Sequence, residues 1–250
     1  MTTTTLLPGA HTETLLTDWR AAARIIDHTL LRPDATAADV RRTCDEALFY
    51  SLSAVFVHPS RLAMAAALLR GSGVKPAAPV GYPTGDTLTS VKRFEAEELL
   101  KLGAQELDMV LNISALKSGE RALVQNDIAA VVEVGHAGGA IVKVILETPL
   151  LTIEEKILAC QLALAAEADF VKTATGTAGG GATVDDIALM RGVVGERAGV
   201  KAAGGIRTAA QMTAMLHAGA NRIGCSAPAA ILRELGAPEF AGATSADPNY

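Results

Sequence analysis

Short runs of branched, strand-like residues alternate along the chain with longer stretches of helical pattern. The runs cover residues 24–31, 53–59, 75–83, 105–112, 140–148, 168–176, 199–206 and 221–228. Helices are predicted between them, including 35–50, 90–103 and 152–167. Thr152, with Glu155 three positions on, has the pattern of a capping box. Gly103 and Gly219 stand where helices commonly end. Eight strands alternating with helices imply parallel pairing through right-handed crossovers.

Two architectures satisfy that order: an open doubly wound sheet and a closed barrel. The count, the even spacing and the absence of a G-x-G-x-x-G after the first strand favour the barrel. The predicted fold is therefore α/β, a single (β/α)8 TIM barrel spanning residues 1–250. An extra N-terminal helix is expected at 12–24, covering the barrel's N-terminal end. Residues 237–250 read as a C-terminal tail of weak periodicity, expected to be disordered.

Composition narrows the partners. Half the residues are apolar but only 4% are aromatic, so Ala, Val, Ile and Leu must fill the core. The net charge is −5 and no basic run occurs, which argues against a nucleic-acid or anionic-membrane partner. No uncharged apolar run approaches transmembrane length, and the first sixteen residues lack the pattern of a signal peptide. The cysteines, Cys44, Cys160 and Cys225, form no C-x-x-C pair and are expected as reduced thiols in a cytoplasmic protein. Five scattered histidines, without H-x-H or HExxH, give a metal site no support.

In a barrel of this kind, reacting groups gather at the C-terminal ends of the strands. There the runs carry Asp27 and Thr29, Asp108 and Asn112, Lys143 and Glu147, Lys172 and Thr175, then Lys201. In "ADFVKTATG" (168–176), alternation puts Phe170, Lys172 and Ala174 on one face. A lysine aimed into a packed lumen needs a partner. Lys143 could be a satisfied ion pair with Glu147 or Asp108. Lys172 and Lys201, on neighbouring strands, repel each other, and desolvation adds to that, so both effects lower a lysine pKa. A free amine so produced can form a Schiff base with a carbonyl. Asp108 reads either as the counter-ion of Lys201 or Lys143 or as a proton relay through water. Gly204, Gly205, Gly224 and Ser226, followed by a helix start, suit a phosphate, although Gly-Gly can also be a plain turn.

The motifs "IDHTLLRPDAT", "AVFVHP", "GYPTG", "ELDMVLN", "VKVILET", "FVKTATG", "VKAAGGIR" and "IGCSAP" occur in the order that resembles the deoxyribose-phosphate aldolases, a family of class I, Schiff-base enzymes. The resemblance implies reversible cleavage of 2-deoxy-D-ribose 5-phosphate to D-glyceraldehyde 3-phosphate and acetaldehyde. It makes Lys172 the Schiff-base lysine, Lys201 the neighbour that lowers its pKa, and Asp108 the proton carrier. It assigns the phosphate to Gly204, Gly205 and Ser226 and the sugar's border to Asp27 and Thr29; from their places at the strand ends, Lys143, Thr175 and Gly224 are expected to contact substrate too. It also implies no metal or organic cofactor, and a homodimer or homotetramer. Three departures stand out. Phe56 replaces a cysteine frequent in the family, so a thiol beside the aldehyde site is expected to be missing. No lysine follows Gly176, so backbone amides or another cation must meet the phosphate. The chain also ends in Tyr250, which the resemblance offers as a proton relay. The readings set against an aldolase are a phosphosugar isomerase, a catalytically silent phosphosugar-binding barrel and a metal-dependent aldolase.

Overall fold

The computed structural model describes residues 18–242. Residues 12–17 of the expected N-terminal helix, Tyr250 and the remainder of the chain end lie outside them. Eight strands close a parallel barrel in sequence order: β1 (Ile26–Leu30), β2 (Ala54–Val57), β3 (Lys75–Val80), β4 (Glu106–Val110), β5 (Ile141–Ile145), β6 (Phe170–Lys172), β7 (Gly199–Ala203) and β8 (Arg222–Cys225). β1 pairs with β8 to complete the ring.

Ten α-helices occur among the described residues: α1 (Trp19–Ala23), α2 (Ala37–Tyr50), α3 (Pro59–Leu68), α4 (Thr89–Lys101), α5 (Ile113–Lys117), α6 (Arg121–Ala137), α7 (Ile153–Ala165), α8 (Val184–Val194), α9 (Ala209–His217) and α10 (Pro228–Glu234). Their ends follow local chemistry. Thr152 and Glu155 form the expected capping box, and Thr36–Asp39 and Thr208–Gln211 form two more. Gly103 and Gly219 follow α4 and α9 with φ of 100° and 110°, a conformation that terminates a helix at little cost only for glycine.

Alternation along each strand divides the molecule into two interiors. Outward residues such as Val55, Leu107, Met109, Val142, Val144, Val171, Val200 and Ile223 pack beneath the helices in one continuous apolar core. Each such side chain stabilises the fold by about 1.5–3 kcal/mol relative to exposure. Inward residues are different: Ala54, Phe56 and Ala77 make a small apolar patch, and the lumen also takes in Asp27, Glu106, Asp108, Lys143, Lys172, Lys201 and Arg222. A barrel interior is more often filled by branched aliphatics.

The two ends depart from expectation. The described part of the N-terminal helix is only α1, which packs on α10 and on Tyr50. Residues 237–242 of the expected tail are anchored: the Tyr50 hydroxyl donates to the Pro238 carbonyl at 2.9 Å, and Phe240 packs on Phe49. No helix among the described residues is long and apolar enough to cross a membrane.

Candidate active site

β4, β5, β6 and β7 bring Asp108, Lys143, Lys172 and Lys201 into the lumen because their registers align. Asp108 lies opposite Lys143, and Lys172 opposite Lys201. The Lys172 and Lys201 ammonium nitrogens each stand 2.8 Å from the same Asp108 oxygen, Oδ2. Lys143 Nζ takes the other oxygen, Oδ1, at 2.8 Å. Lys201 Nζ also meets Asp27 Oδ2 at 2.5 Å. One carboxylate is therefore shared among three lysines.

A second tier lies beneath. Lys143 Nζ is 2.5 Å from Glu106 Oε2, and Arg222 bridges Glu106 and Asp27 at 2.8 and 3.2 Å. The Asp27 oxygens are met by these charges rather than by aligned hydrogen bonds. The Phe56 ring closes one side, its centroid 4.6 Å from Lys172 Nζ and 5.1 Å from Lys201 Nζ. A cation over an aromatic face is attracted to it, and the ring also excludes water.

Protonation follows from this placement. Burial pushes the Lys172 amine down to about 8; Asp108 pulls the other way, and Lys201 and Lys143 reinforce the fall. Burial works against the Lys143 charge too, but Asp108, Glu106 and Asp27 outweigh it and hold its pKa above the ordinary lysine value. Asp108 stays far below the usual carboxylate range, because the three lysines overcome its desolvation. Asp27 is held at about 2 against its burial by Arg222, Lys201 and Lys143.

A cavity of about 420 Å³ opens above this network at the C-terminal ends of the strands. Lys172 is its floor, with Thr29, Thr175, Gly204, Gly205, Gly224 and Ser226 on the walls. These six sequence-predicted residues thus converge on one space with Lys172. Asp27 and Lys143, expected to contact substrate, do not line it. Both are fully buried beneath the cavity, tied into ion pairs that leave them no free face. Asp108 and Lys201 are fully buried too, whereas Lys172 keeps 5% exposure toward the cavity. Gly224 has a second reason to be glycine: an added Cβ would stand 3.1 Å from the Lys201 side chain.

Glu147, a suggested partner of Lys143, lies beyond the end of β5 in a left-handed conformation. Its carboxylate instead accepts the Thr175 backbone N–H at 3.0 Å, holding the turn that follows Lys172. That turn's glycine-rich continuation meets the β7 turn, where the Ala182 N–H donates to the Gly204 carbonyl at 3.0 Å. A side chain on Gly204, at φ 97°, would collide with Gly181. Cys225 of β8 borders the cavity but packs into the outer apolar core with Ile223, and burial pushes its thiol up to about 12. Arg207 is exposed at the cavity edge beside Gly204 and Gly205, a cation near a glycine-rich loop that has none. Arg207, Glu106, Arg222 and Tyr82, which also lines the cavity, escaped the sequence reading, although Arg207, Tyr82 and Glu106 lie within "VKAAGGIR", "GYPTG" and "ELDMVLN".

A larger cleft, about 670 Å³, lies at the opposite end near Lys75 and Pro76, and no member of the charged network opens into it. Among the described residues no group of three or more His, Cys, Asp and Glu is placed to hold a metal ion.

An eight-stranded parallel barrel with one accessible buried amine beside a shared carboxylate defines a class: barrel enzymes equipped for amine–carbonyl chemistry. A family model for DeoC/LacD family aldolases matches residues 21–235. The deoxyribose-phosphate aldolase of Thermococcus kodakarensis is 54% identical over 222 residues, covering 88% of this chain and 98% of its own. That of Streptococcus sanguinis is 50% identical over 210 residues, covering 84% and 94%. The tetrameric deoxyribose phosphate aldolase from Aeropyrum pernix superposes with a TM-score of 0.85 at 32% identity, over 92% of this chain and 99% of that one. The chain belongs to the DeoC/LacD family of aldolases.

Proposed function

We propose that this protein catalyses the reversible cleavage of 2-deoxy-D-ribose 5-phosphate to D-glyceraldehyde 3-phosphate and acetaldehyde, through a Schiff base on Lys172. The observation that carries the reading is that Lys172 alone in the charged network reaches the cavity, with its amine lowered to about 8. At pH 7 about a tenth of such an amine is neutral, several hundred times the fraction expected of an ordinary lysine.

The neutral Lys172 nitrogen adds to the aldehyde carbon of the open-chain sugar, and loss of water leaves an iminium. The sugar's C3 hydroxyl then gives up its proton, the C2–C3 bond breaks, and its electrons flow into the iminium to form an enamine. D-glyceraldehyde 3-phosphate departs. Protonation of the enamine carbon and hydrolysis release acetaldehyde and restore the amine. Asp108 and Lys201, joined at 2.8 Å beside Lys172, are the pair to move these protons through a water. The iminium supplies the electron sink, so neither a metal nor an organic cofactor is needed.

Gly204, Gly205, Ser226 and Arg207 would meet the phosphate, aided by the N-terminus of α9. Thr29 and Thr175 would face the sugar hydroxyls. The chain would act as one barrel domain, in a homodimer or homotetramer, on small-molecule substrates rather than nucleic acid. Three unpaired cysteines suit a cytoplasmic setting. The test is an assay for D-glyceraldehyde 3-phosphate released from 2-deoxy-D-ribose 5-phosphate with a strong chelator present. Release at an undiminished rate is expected. No release, with or without chelator, would remove the proposal.

A further inference from the structure

The charged network holds three carboxylates, Asp27, Glu106 and Asp108, against four cations, Lys143, Lys172, Lys201 and Arg222. One positive charge is in excess inside a closed lumen. An unmatched buried charge is strongly unfavourable, so the network is driven to give up a proton. Arg222 cannot be the donor, because a guanidinium stays protonated under any condition a folded protein meets. Lys143 has three carboxylates around it, and Lys201 has Asp27 as well as Asp108. Lys172 has only a share of Asp108 Oδ2. The excess falls on Lys172.

Arg222 itself does not line the cavity. From β8 its guanidinium reaches across the lower tier to bridge Asp27 and Glu106, with the Phe170 ring 5.7 Å away. The groups facing Lys172 are Asp108 from β4, Lys143 from β5, Lys201 from β7 and the Phe56 ring from β2. Tyr82, Arg32, Arg207 and Cys225 share the cavity on its open side. Of these four, Arg32 and Arg207 are permanently charged, but neither is buried as Arg222 is.

We propose that Arg222 is a positioning residue whose permanent charge, spent on Asp27 and Glu106, makes Lys172 the member of the network that loses its proton. The proposal rests on the Schiff-base role of Lys172 given above. Removing Arg222 leaves three carboxylates facing three lysines, so the Lys172 proton becomes the balancing charge and is retained to higher pH. Removing the Glu106 charge does the opposite, enlarging the excess. Removing both restores the original imbalance.

The experiment compares the pH dependence of kcat/KM for wild type, Arg222→Met, Arg222→Lys, Glu106→Gln and the double variant Arg222→Met/Glu106→Gln. Trapping of Lys172 by acetaldehyde and borohydride is followed in parallel by peptide mass. For Arg222→Met the acid limb should move up by on the order of one pH unit, and for Glu106→Gln down by a similar amount. The double variant and Arg222→Lys should lie close to wild type. A loss of packing alone would lower kcat/KM at every pH without moving the limb. Unmoved limbs, or limbs moving the same way in the two single variants, overturn the proposal. The Glu106→Gln downshift is required even if Arg222→Met does not fold, so its absence alone is decisive. Failure to trap any wild-type Lys172 would instead remove the Schiff-base reading, which separates the two failures.

Discussion

Lys143 and Lys172 sit on neighbouring strands inside one lumen, yet they are driven in opposite directions. Lys143 lies opposite Phe170, two residues deeper along the barrel than Lys172. Desolvation opposes the charge on both. Lys143 has Glu106 at 2.5 Å and Asp108 Oδ1 at 2.8 Å, and its charge is held firmly. Lys172 has one oxygen, which Lys201 also uses. Burial alone therefore does not produce a reactive lysine; a deficit of carboxylate does. Lys92 of α4 limits the point: it is equally buried, and burial lowers its pKa even though Asp127 and the Val110 carbonyl hold it, but it does not line the cavity above Lys172.

The largest expected effect concerns turnover. Lys172→Met should lower cleavage of 2-deoxy-D-ribose 5-phosphate by roughly 10³-fold or more, with circular dichroism unchanged, since it removes the nucleophile itself. Next comes Lys143→Met, which strips the carboxylates of their best partner. It should destabilise the fold by about 3–5 kcal/mol in urea unfolding, the usual result of leaving buried charges unpaired.

Lys172→Met should have the opposite sign in the same experiment. The folded Lys172 pKa is about 8, against 10.5 for an ordinary lysine. Between those values the unfolded chain binds the extra proton, so stability rises with pH across that window. Below pH 8 the penalty is present in full; above 10.5 it has gone. Lys172→Met should therefore stabilise the protein at pH 7 by about 1–3 kcal/mol and lose that advantage above pH 10.5. A destabilised Lys172→Met would erase the contrast with Lys143. The smallest effect is on the wild-type pH profile: kcat/KM should climb through an acid limb near the Lys172 value of about 8.

Much of this arrangement was legible in the chain. A strand has a two-residue period, so the inward aim of Lys172 could be read from "ADFVKTATG" alone. Three lysine-bearing strands in succession could likewise be placed side by side once parallel order was inferred. The partners across the lumen could not. Glu106 meets Arg222 over 116 residues of sequence, a contact set by strand tilt and barrel closure rather than by any local pattern. For the same reason Asp27 and Lys143 looked like substrate contacts. Position along a strand is readable, but depth below the cavity depends on neighbours supplied from afar. Glu147 misled differently, because the left-handed turn that swings it toward Thr175 occurs without a glycine.

The most direct test of the contrast between the lysines is reduction with borohydride in the presence of acetaldehyde, followed by proteolysis and mass mapping. A single two-carbon adduct on Lys172 is expected, with Lys143 and Lys201 unmodified and no adduct in Lys172→Met. An adduct on Lys143 or Lys201 in place of Lys172 would contradict it.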